Sequence, residues 1–323
     1  MDLWDIKILY ELDKDGRASY NQIAKNINKS KSFVQYRIEN MIKKEIILDY
    51  IMVVDSSKLG FQTYDIFLQI FSNNDDEKEL IDYLLSKKEI NCIQKTIGKF
   101  QLYISIFAKN LNELENFFLK ILNEFKNTIS SYKILSIYRA YSPAHNYLFN
   151  NSFKSLNHNK EFLSSEKINL DNKDIKLLNL LENNPRASFN ELASKLGSSL
   201  DNIRKRYNSL LKKEVILNIR PSIDANKLNY LHKIVLIKFK SSGLLQIENL
   251  KKHFLSLKNT IFVSYCFGEY DITGEFVFNS LKDFKEFQEN IFKKYSNEIS
   301  LIEYLDYFEE IRYSHYPDFI IKD

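Results

Sequence analysis

The segment Arg17-Ala18-Ser19-Tyr20-Asn21-Gln22-Ile23-Ala24 returns 169 residues later as Arg186-Ala187-Ser188-Phe189-Asn190-Glu191-Leu192-Ala193. Working outward from it, Asp2–Phe61 lies on Asp171–Tyr230 without a gap, and 21 of the 60 pairs are identical. The match continues more weakly. With one residue gained, Gly98-Lys99-Phe100-Gln101 meets Gly268-Glu269-Tyr270-Asp271. A self-match of that length is an internal duplication, and it governs every further reading of the chain.

Each copy opens with three helices. Asp2 and Asp171 stand as N-caps, and Leu3, Ile6, Leu9 and Leu12 recur at helical spacing, as do Ile175, Leu178 and Leu181. Ser19-x-x-Gln22 and Ser188-x-x-Glu191 have the spacing of capping boxes that start a second helix. Asn28 and Gly197 then occupy the tight turn before a third helix, which begins near Ser30 and Ser199. Its apolar stripe is Val34, Ile38 and Met41 in one copy and Ile203, Tyr207 and Leu210 in the other. Two helices joined by such a turn are a helix-turn-helix unit.

The rest of each copy predicts an extended connector (Ile46–Val54; Val215–Ile223) and then the order β-α-β-β-α-β. The strands are expected at Thr63–Phe71 and Lys233–Phe239, around Gly98 and Gly268, and at Ile134–Tyr141 and Leu301–Tyr307. The helices fall at Asp76–Lys87, Leu111–Phe125, Leu245–Leu257 and Leu281–Tyr295. The fold class is therefore α+β: two copies of an N-terminal three-helix helix-turn-helix domain followed by a ferredoxin-like βαββαβ domain. The domains run over 1–50, 51–142, 169–219 and 220–323, with the Asn-, Ser- and Lys-rich stretch 143–168 read as a linker. Helices cover one face of such a sheet. The other face needs a partner, either the second copy or a second chain.

Composition excludes much else. Of 323 residues only seven are glycine, and the nearest pair, Gly268 and Gly274, is followed by Glu275 where a phosphate-binding loop needs Lys. No run approaches the ~18 apolar residues of a membrane span, and Met1-Asp2-Leu3-Trp4-Asp5 does not open like a signal peptide. Cys92 and Cys266 stand apart, and His145, His158, His232, His253 and His315 show no ligand spacing. No nucleophile elbow is present. The expectation is a cytoplasmic protein without cofactor or metal and with no catalytic residues.

Charge points elsewhere. Ser19–Glu45 holds six basic against two acidic residues and Ser188–Glu214 six against three, giving +4 and +3. The whole chain carries +4, so the remaining residues sum to −3. Positive charge gathers on the helix-turn-helix units, as binding to the phosphates of double-stranded DNA requires; a solvated lysine-rich face is the competing reading. The third helices offer Ser30, Lys31, Ser32, Gln35, Tyr36 and Arg37 in the first copy, and Ser199, Asn202, Arg204, Lys205 and Arg206 in the second. Arg204 and Lys205 suit guanine and Gln35 suits adenine. Arg37 and Arg206 either grip phosphate or close the small domain with a salt bridge.

These residues resemble the leucine-responsive regulatory protein/AsnC (Lrp/AsnC) family of archaeal and bacterial transcription factors. The resemblance rests on Leu3-x-Asp5-x-x-Ile8-Leu9, Asp15-Gly16-Arg17-x-Ser19, Ser30-x-x-x-Val34-x-x-Arg37-Ile38 and Lys58-Leu59-Gly60, with their second-copy counterparts Asp174-x-x-Leu177-Leu178, Pro185-Arg186-x-Ser188 and Ser199-x-x-x-Ile203-x-x-Arg206. It implies a winged-helix DNA reader joined to a ferredoxin-like effector and dimerisation (RAM) domain, paired as a homodimer or higher oligomer or, here, as an intramolecular pseudo-dimer. It also implies an amino-acid effector near a Gly-x-Tyr-Asp turn, kept as Gly268, Tyr270 and Asp271, while the first copy has Gln101 in place of the carboxylate. An Asp that only satisfies backbone N–H groups is the competing reading of that turn. Glu45 and Glu214 stand where the family has the Gly that ends the third helix. Sirohaem decarboxylases resemble the same family, so a tetrapyrrole enzyme with His232 in its cleft is the first alternative. A partner-binding protein with vestigial DNA contacts is the second.

Overall fold

The computed structural model describes residues 1–71, 74–149, 153–156, 161–163, 165–241 and 246–317. The first copy contains α1 (Leu3–Lys14), α2 (Tyr20–Ile27), α3 (Lys31–Lys43), β1 (Ile47–Val54), β2 (Gln62–Ile70), α4 (Asn74–Leu85), β3 (Ile90–Ile97), β4 (Leu102–Ala108), α5 (Leu111–Glu124) and β5 (Ile129–Tyr141). A short β6 (Glu161–Phe162) precedes the second copy. That copy contains α6 (Asn172–Asn183), α7 (Phe189–Lys195), α8 (Leu200–Lys212), β7 (Ile216–Ile223), β8 (Leu231–Phe239), α9 (Ile247–Ser256), β9 (Thr260–Gly268), β10 (Ile272–Phe278), α10 (Leu281–Tyr295) and β11 (Ile299–Tyr313). The order is the expected one. The start of the helix expected from Leu245 lies outside the described residues.

The caps explain where the helices begin. Asp2 accepts from the Trp4 and Asp5 N–H groups, and Asp5 returns a bond to the Asp2 N–H, a complete box. Ser19, Ser30, Ser188 and Ser199 each cap with the hydroxyl oxygen accepting an N–H three residues on. Glu191 turns instead to Lys195, 2.9 Å away. Asn28 and Gly197 adopt the left-handed conformation, at φ 55° and 54°, that the turn demands.

The two copies pair with each other. β1 and β7 form an antiparallel ribbon in which Ile51 faces Arg220, Tyr50 faces Pro221 and Met52 faces Ile219. Ile51 and Arg220 are themselves equivalent residues of the repeat, so a pseudo-twofold axis passes between them. The connectors cross. Met52, Val54, Leu59 and Phe61 of the first copy complete the core of the second helix-turn-helix around Leu177, Leu181 and Ile203. In return Ile223, Leu228 and Tyr230 pack on the first, around Ile8, Leu12 and Ile38. Gly16 is where this crossing comes closest: its N–H donates to the Ile219 carbonyl at 2.8 Å, and a Cβ would lie 2.4 Å from that oxygen.

The sheets close on each other as well. Strand order is β2-β4-β3-β11-β8-β10-β9-β5, and β5 pairs back with β2, so eight antiparallel strands make a barrel with β6 appended to β5. β3 joins β11 and β9 joins β5 across the two copies. The face that needed a partner has found the other copy, and its core holds Phe67, Phe100, Tyr103, Leu135, Leu236 and Tyr270. Outside the barrel, α4 and α5 pack on one half and α9 and α10 on the other.

The stretch read as a linker does structural work. Leu148 and Phe149 are buried against the first helix-turn-helix, and Phe162 enters the barrel core. His145 donates its backbone N–H to the fully buried Asp13 at 2.8 Å and sets its Nδ1 2.9 Å from the same carboxylate. Burial alone raises that carboxyl, but the charge and hydrogen bonds of His145 and the Arg220 charge outweigh it and hold the carboxyl below its usual range. The tail of the second copy matches this, with Ser314 donating to Glu182 at 2.6 Å.

Glu45 and Glu214 take up the role of the missing glycine without its freedom. Both end their helices at φ 56°, a left-handed conformation costing about 1–2 kcal/mol for a residue with a Cβ. Each also meets a lysine of the other copy: Lys227 lies 2.6 Å from Glu45 and Lys58 lies 3.7 Å from Glu214. The exposed Lys227–Glu45 pair contributes little, and half-buried Lys58 spends its nearer contact, 2.8 Å, on the Lys213 carbonyl. Glu214→Gly is expected to stabilise the protein by up to about 1 kcal/mol, read as a higher denaturation midpoint at unchanged m-value.

Candidate nucleic-acid interface

The third helix of each unit, α3 or α8, is buried along one stripe and open on the other. Val34, Ile38 and Met41 hold α3 to its domain, and Ile203 and Leu210 hold α8. Lys31, Ser32, Gln35 and Tyr36 are exposed on α3, as are Arg204 and Lys205 on α8. Gln35 is held by its Nε2 donating to Glu39 at 2.9 Å. Ser30 and Ser199 are caps, and Ser30 also approaches the Ser32 hydroxyl at 3.1 Å. Asn202 is partly buried and donates to Ser198 at 2.8 Å. It positions the start of α8 rather than projecting from it.

Arg37 and Arg206 are each held by two carboxylates of their own domain. Arg37 spans Asp5 at 2.8 Å and Asp2 at 2.6 Å, tying α3 to the start of α1. Arg206 does the same with Asp171 at 2.7 Å and Asp174 at 2.6 Å, tying α8 to α6. Hydrogen bonds to these carboxylates, Asp5 first for Arg37 and Asp171 first for Arg206, push both guanidinium groups up from their ordinary value. Each arginine faces two negative charges, so it brings no surplus positive charge to DNA. Of the two readings, the salt bridge that closes the small domain is the one formed. The capping carboxylates serve twice, as caps and as counter-ions.

The loop residues Arg17 and Arg186, identical in the repeat and part of the motifs that carry the resemblance, form a contact between the two copies. Arg17 crosses the pseudo-dyad to donate to the Pro185 carbonyl and, at 2.6 Å, to the Ala187 carbonyl. Arg186 returns to the Ala18 carbonyl and the Tyr50 hydroxyl, both at 2.8 Å. Arg17 lies 4.7 Å above the Phe189 ring, and Arg186 lies 5.2 Å above the Tyr20 ring. The groove between the two units encloses about 600 Å³ and includes Ser19, Lys31, Ser188 and Tyr207 in its wall. The signal in sequence was an arginine kept twice in a loop with no periodic pattern to explain it.

The turn expected near an effector is occupied by its own neighbours. Tyr270 is fully buried in the barrel core and donates its hydroxyl to Glu303. Asp271 accepts from the Phe239 N–H at 2.8 Å and pairs with Lys238 at 3.0 Å. In the first copy Gln101 accepts from the equivalent Ile70 N–H at 2.9 Å. An amide thus does the carboxylate's work at the matching position, which favours the backbone-satisfying reading of Asp271. Gly268, at φ 145°, lets the turn meet β5: a Cβ there would be 2.6 Å from the Ile134 carbonyl oxygen.

Inside the barrel a cavity of about 40 Å³ is lined by Asp65, Asn91, Cys92, Glu275, Tyr313 and His315 among others, with no lysine or arginine in the lining. It has room for a few waters and not for a tetrapyrrole, and it offers no cation to that group's carboxylates. Burial pushes the Asp65 carboxyl up to about 7. His232 lies 3.2 Å from Glu275 and stacks on Tyr307 at 4.0 Å, both of them structural partners. Among the described residues no group of His, Cys, Asp or Glu is placed to hold a metal, and no helix is long and apolar enough to cross a membrane.

Fold and interface together define a class: two helix-turn-helix readers held on a shared eight-stranded barrel. Comparison with known proteins agrees. An AsnC-type helix-turn-helix domain matches residues 170–211, and a winged helix-turn-helix DNA-binding model matches residues 1–47. An uncharacterized HTH-type transcriptional regulator of Pyrococcus furiosus is 30% identical over 137 residues, 42% of this chain and 88% of that protein. The regulatory protein AsnC of Haemophilus influenzae is 27% identical over 131 residues, 40% of this chain and 87% of its own. The chain belongs to the Lrp/AsnC family of HTH-type transcriptional regulators, with the family's unit present twice. Its whole fold is also that of the siroheme decarboxylase NirDL, with a TM-score of 0.62 at 13% identity over 96% of this chain and 93% of that one. That likeness is one of fold alone.

Proposed function

We propose that the protein is a sequence-specific, DNA-binding transcriptional regulator that works in the cytoplasm and reads double-stranded DNA with two unlike third helices. The observation that carries this reading is the pair of exposed polar faces, Lys31, Ser32, Gln35 and Tyr36 against Arg204 and Lys205, on helices whose opposite faces are firmly buried. A homodimer presents the same reader twice. This chain pairs its copies internally and presents two, so its operator has two dissimilar halves. Tethering keeps the second reader at high effective concentration once the first is bound. A tetrapyrrole enzyme has the shared fold in its favour, but the water-sized cavity, with no lysine or arginine in its lining, does not suit that substrate. The protein is therefore read as a non-enzyme. Bound tyrosine and aspartate side chains at Gly268–Asp271 likewise leave that turn without a free group for an amino-acid effector.

Sequences selected by the purified protein from random duplexes are expected to share a bipartite, non-palindromic site. A perfect palindrome bound by one chain, or a Soret band on titration with sirohaem and no duplex binding, overturns the reading.

A further inference from the structure

We infer that Arg17 and Arg186 form a phosphate-binding pair on the pseudo-dyad, over which the backbone of the central segment of the operator lies. The inference rests on the DNA-binding reading and adds to it two residues outside the third helices.

Charge is the first ground. Among the described residues, Arg37 and Arg206 each have two carboxylates, whereas neither Arg17 nor Arg186 has one at ion-pair distance. Their partners are carbonyls, a hydroxyl and aromatic rings. Asp15 lines the same groove, but its Oδ1 accepts the backbone N–H of Arg17 at 2.9 Å. Burial lowers the pKa of Arg17; Tyr207 and the Asp15 charge oppose that shift, and the Arg186 charge adds to it. Two guanidinium groups thus face one groove with no carboxylate at ion-pair distance from either, which leaves both able to take an anion.

Position is the second ground. Lys31, the first residue of α3, lines this groove, as do Ser19 and Ser188, the caps of α2 and α7. The groove therefore opens beside the end of α3 that enters a major groove. A two-reader protein sets its dyad over the DNA between the half-sites, where no third helix reaches. The donors are available as well. A guanidinium has five N–H groups, and each arginine spends two on the opposite copy, leaving three for phosphate oxygens. The bonds to the opposite copy fix the groups in place beforehand, which spares ordering entropy on binding.

The test is the salt dependence of duplex binding by the full chain, with Arg17→Gln/Arg186→Gln and Arg17→Lys/Arg186→Lys as paired variants. Each phosphate contact contributes about 0.9 to the slope of log affinity against log salt. The glutamine pair is expected to lower that slope by roughly 1.8 and to weaken binding roughly tenfold at low salt, equally for selected and random duplexes. The lysine pair, which keeps the charge and loses the fork, is expected to retain most of the slope. A glutamine pair with unchanged slope overturns the inference. So does a lysine pair that falls as far as the glutamine pair with a matching drop in melting temperature, since the arginines would then be a clamp only. Inorganic phosphate that raises the melting temperature of the native chain but not of the glutamine pair, with no change in DNA slope, assigns the groove to a small anion and also overturns it. Failure of the functional reading looks different, because the unmodified chain would then bind no duplex in any salt.

Discussion

Residues 1–165 produced without the second copy are expected to yield no folded monomer. The first helix-turn-helix would lose Ile223, Leu228 and Tyr230 from its core. Its β1 would lose β7, and β3 and β5 would become open barrel edges. Exposed strand edges and an uncovered apolar sheet face invite self-association. The fragment should therefore elute as a dimer or as aggregate in size-exclusion chromatography with light scattering. Mixing it with residues 166–323 should restore a single cooperative melt. A monomeric fragment with its own cooperative transition would show that the crossed connectors are incidental.

Asp65→Asn is expected to stabilise the protein by an amount that grows as pH rises from about 4 to 8. Asp65 is buried in the barrel, where it accepts a hydrogen bond from Ser105 at 2.7 Å, and its carboxyl is raised from 3.8 to about 7, first by burial and also by the Glu275 charge. A carboxyl raised on folding binds its proton more tightly in the native state. Its favourable contribution is complete below about pH 3.8 and is lost as pH rises through about 7. Asparagine keeps an acceptor for the Ser105 hydroxyl and removes the ionisation. The gain at pH 8 should be on the order of 4 kcal/mol. Melting temperatures of the native chain and the variant, measured from pH 5 to pH 8, should diverge as pH rises. Parallel curves would mean that Asp65 is ionised at no cost.

How far the sequence foretold this molecule depended on whether a feature had a period. The helices of both copies, their Ser and Asp caps, and the βαββαβ order were readable because apolar spacing and cap chemistry are local. The stretch 143–168 has no period, so Leu148, Phe149 and Phe162 gave no sign that they would enter two cores. The partners of Arg37 and Arg206 were hidden for another reason. Asp5 and Asp174 stand in the first turn of a helix, where a carboxylate is favoured in any case, and only the packing of α3 on α1 and of α8 on α6 brings them to the arginines. Closure of the barrel was half legible: one uncovered sheet face demanded a partner, but chain order alone did not choose between the tethered copy and a separate chain. At the interface, exposed Lys31, Gln35, Arg204 and Lys205 follow from the helical stripe, whereas Arg17 and Arg186 meet the opposite copy through loop geometry that no spacing rule describes.

The contact between Ile51 and Arg220 has an evolutionary reach. In an assembly of identical subunits, a side chain at the symmetry axis confronts its own twin, and two buried guanidinium groups nose to nose would be prohibitive. Fusion removes that constraint. Here Arg220 is 3% exposed, binds the Pro143 carbonyl at 2.6 Å and the Ser142 hydroxyl, and looks across at a hydrocarbon. Any mutation in this gene alters one half and spares the other, so the two halves have been free to specialise, and at their very centre they already have.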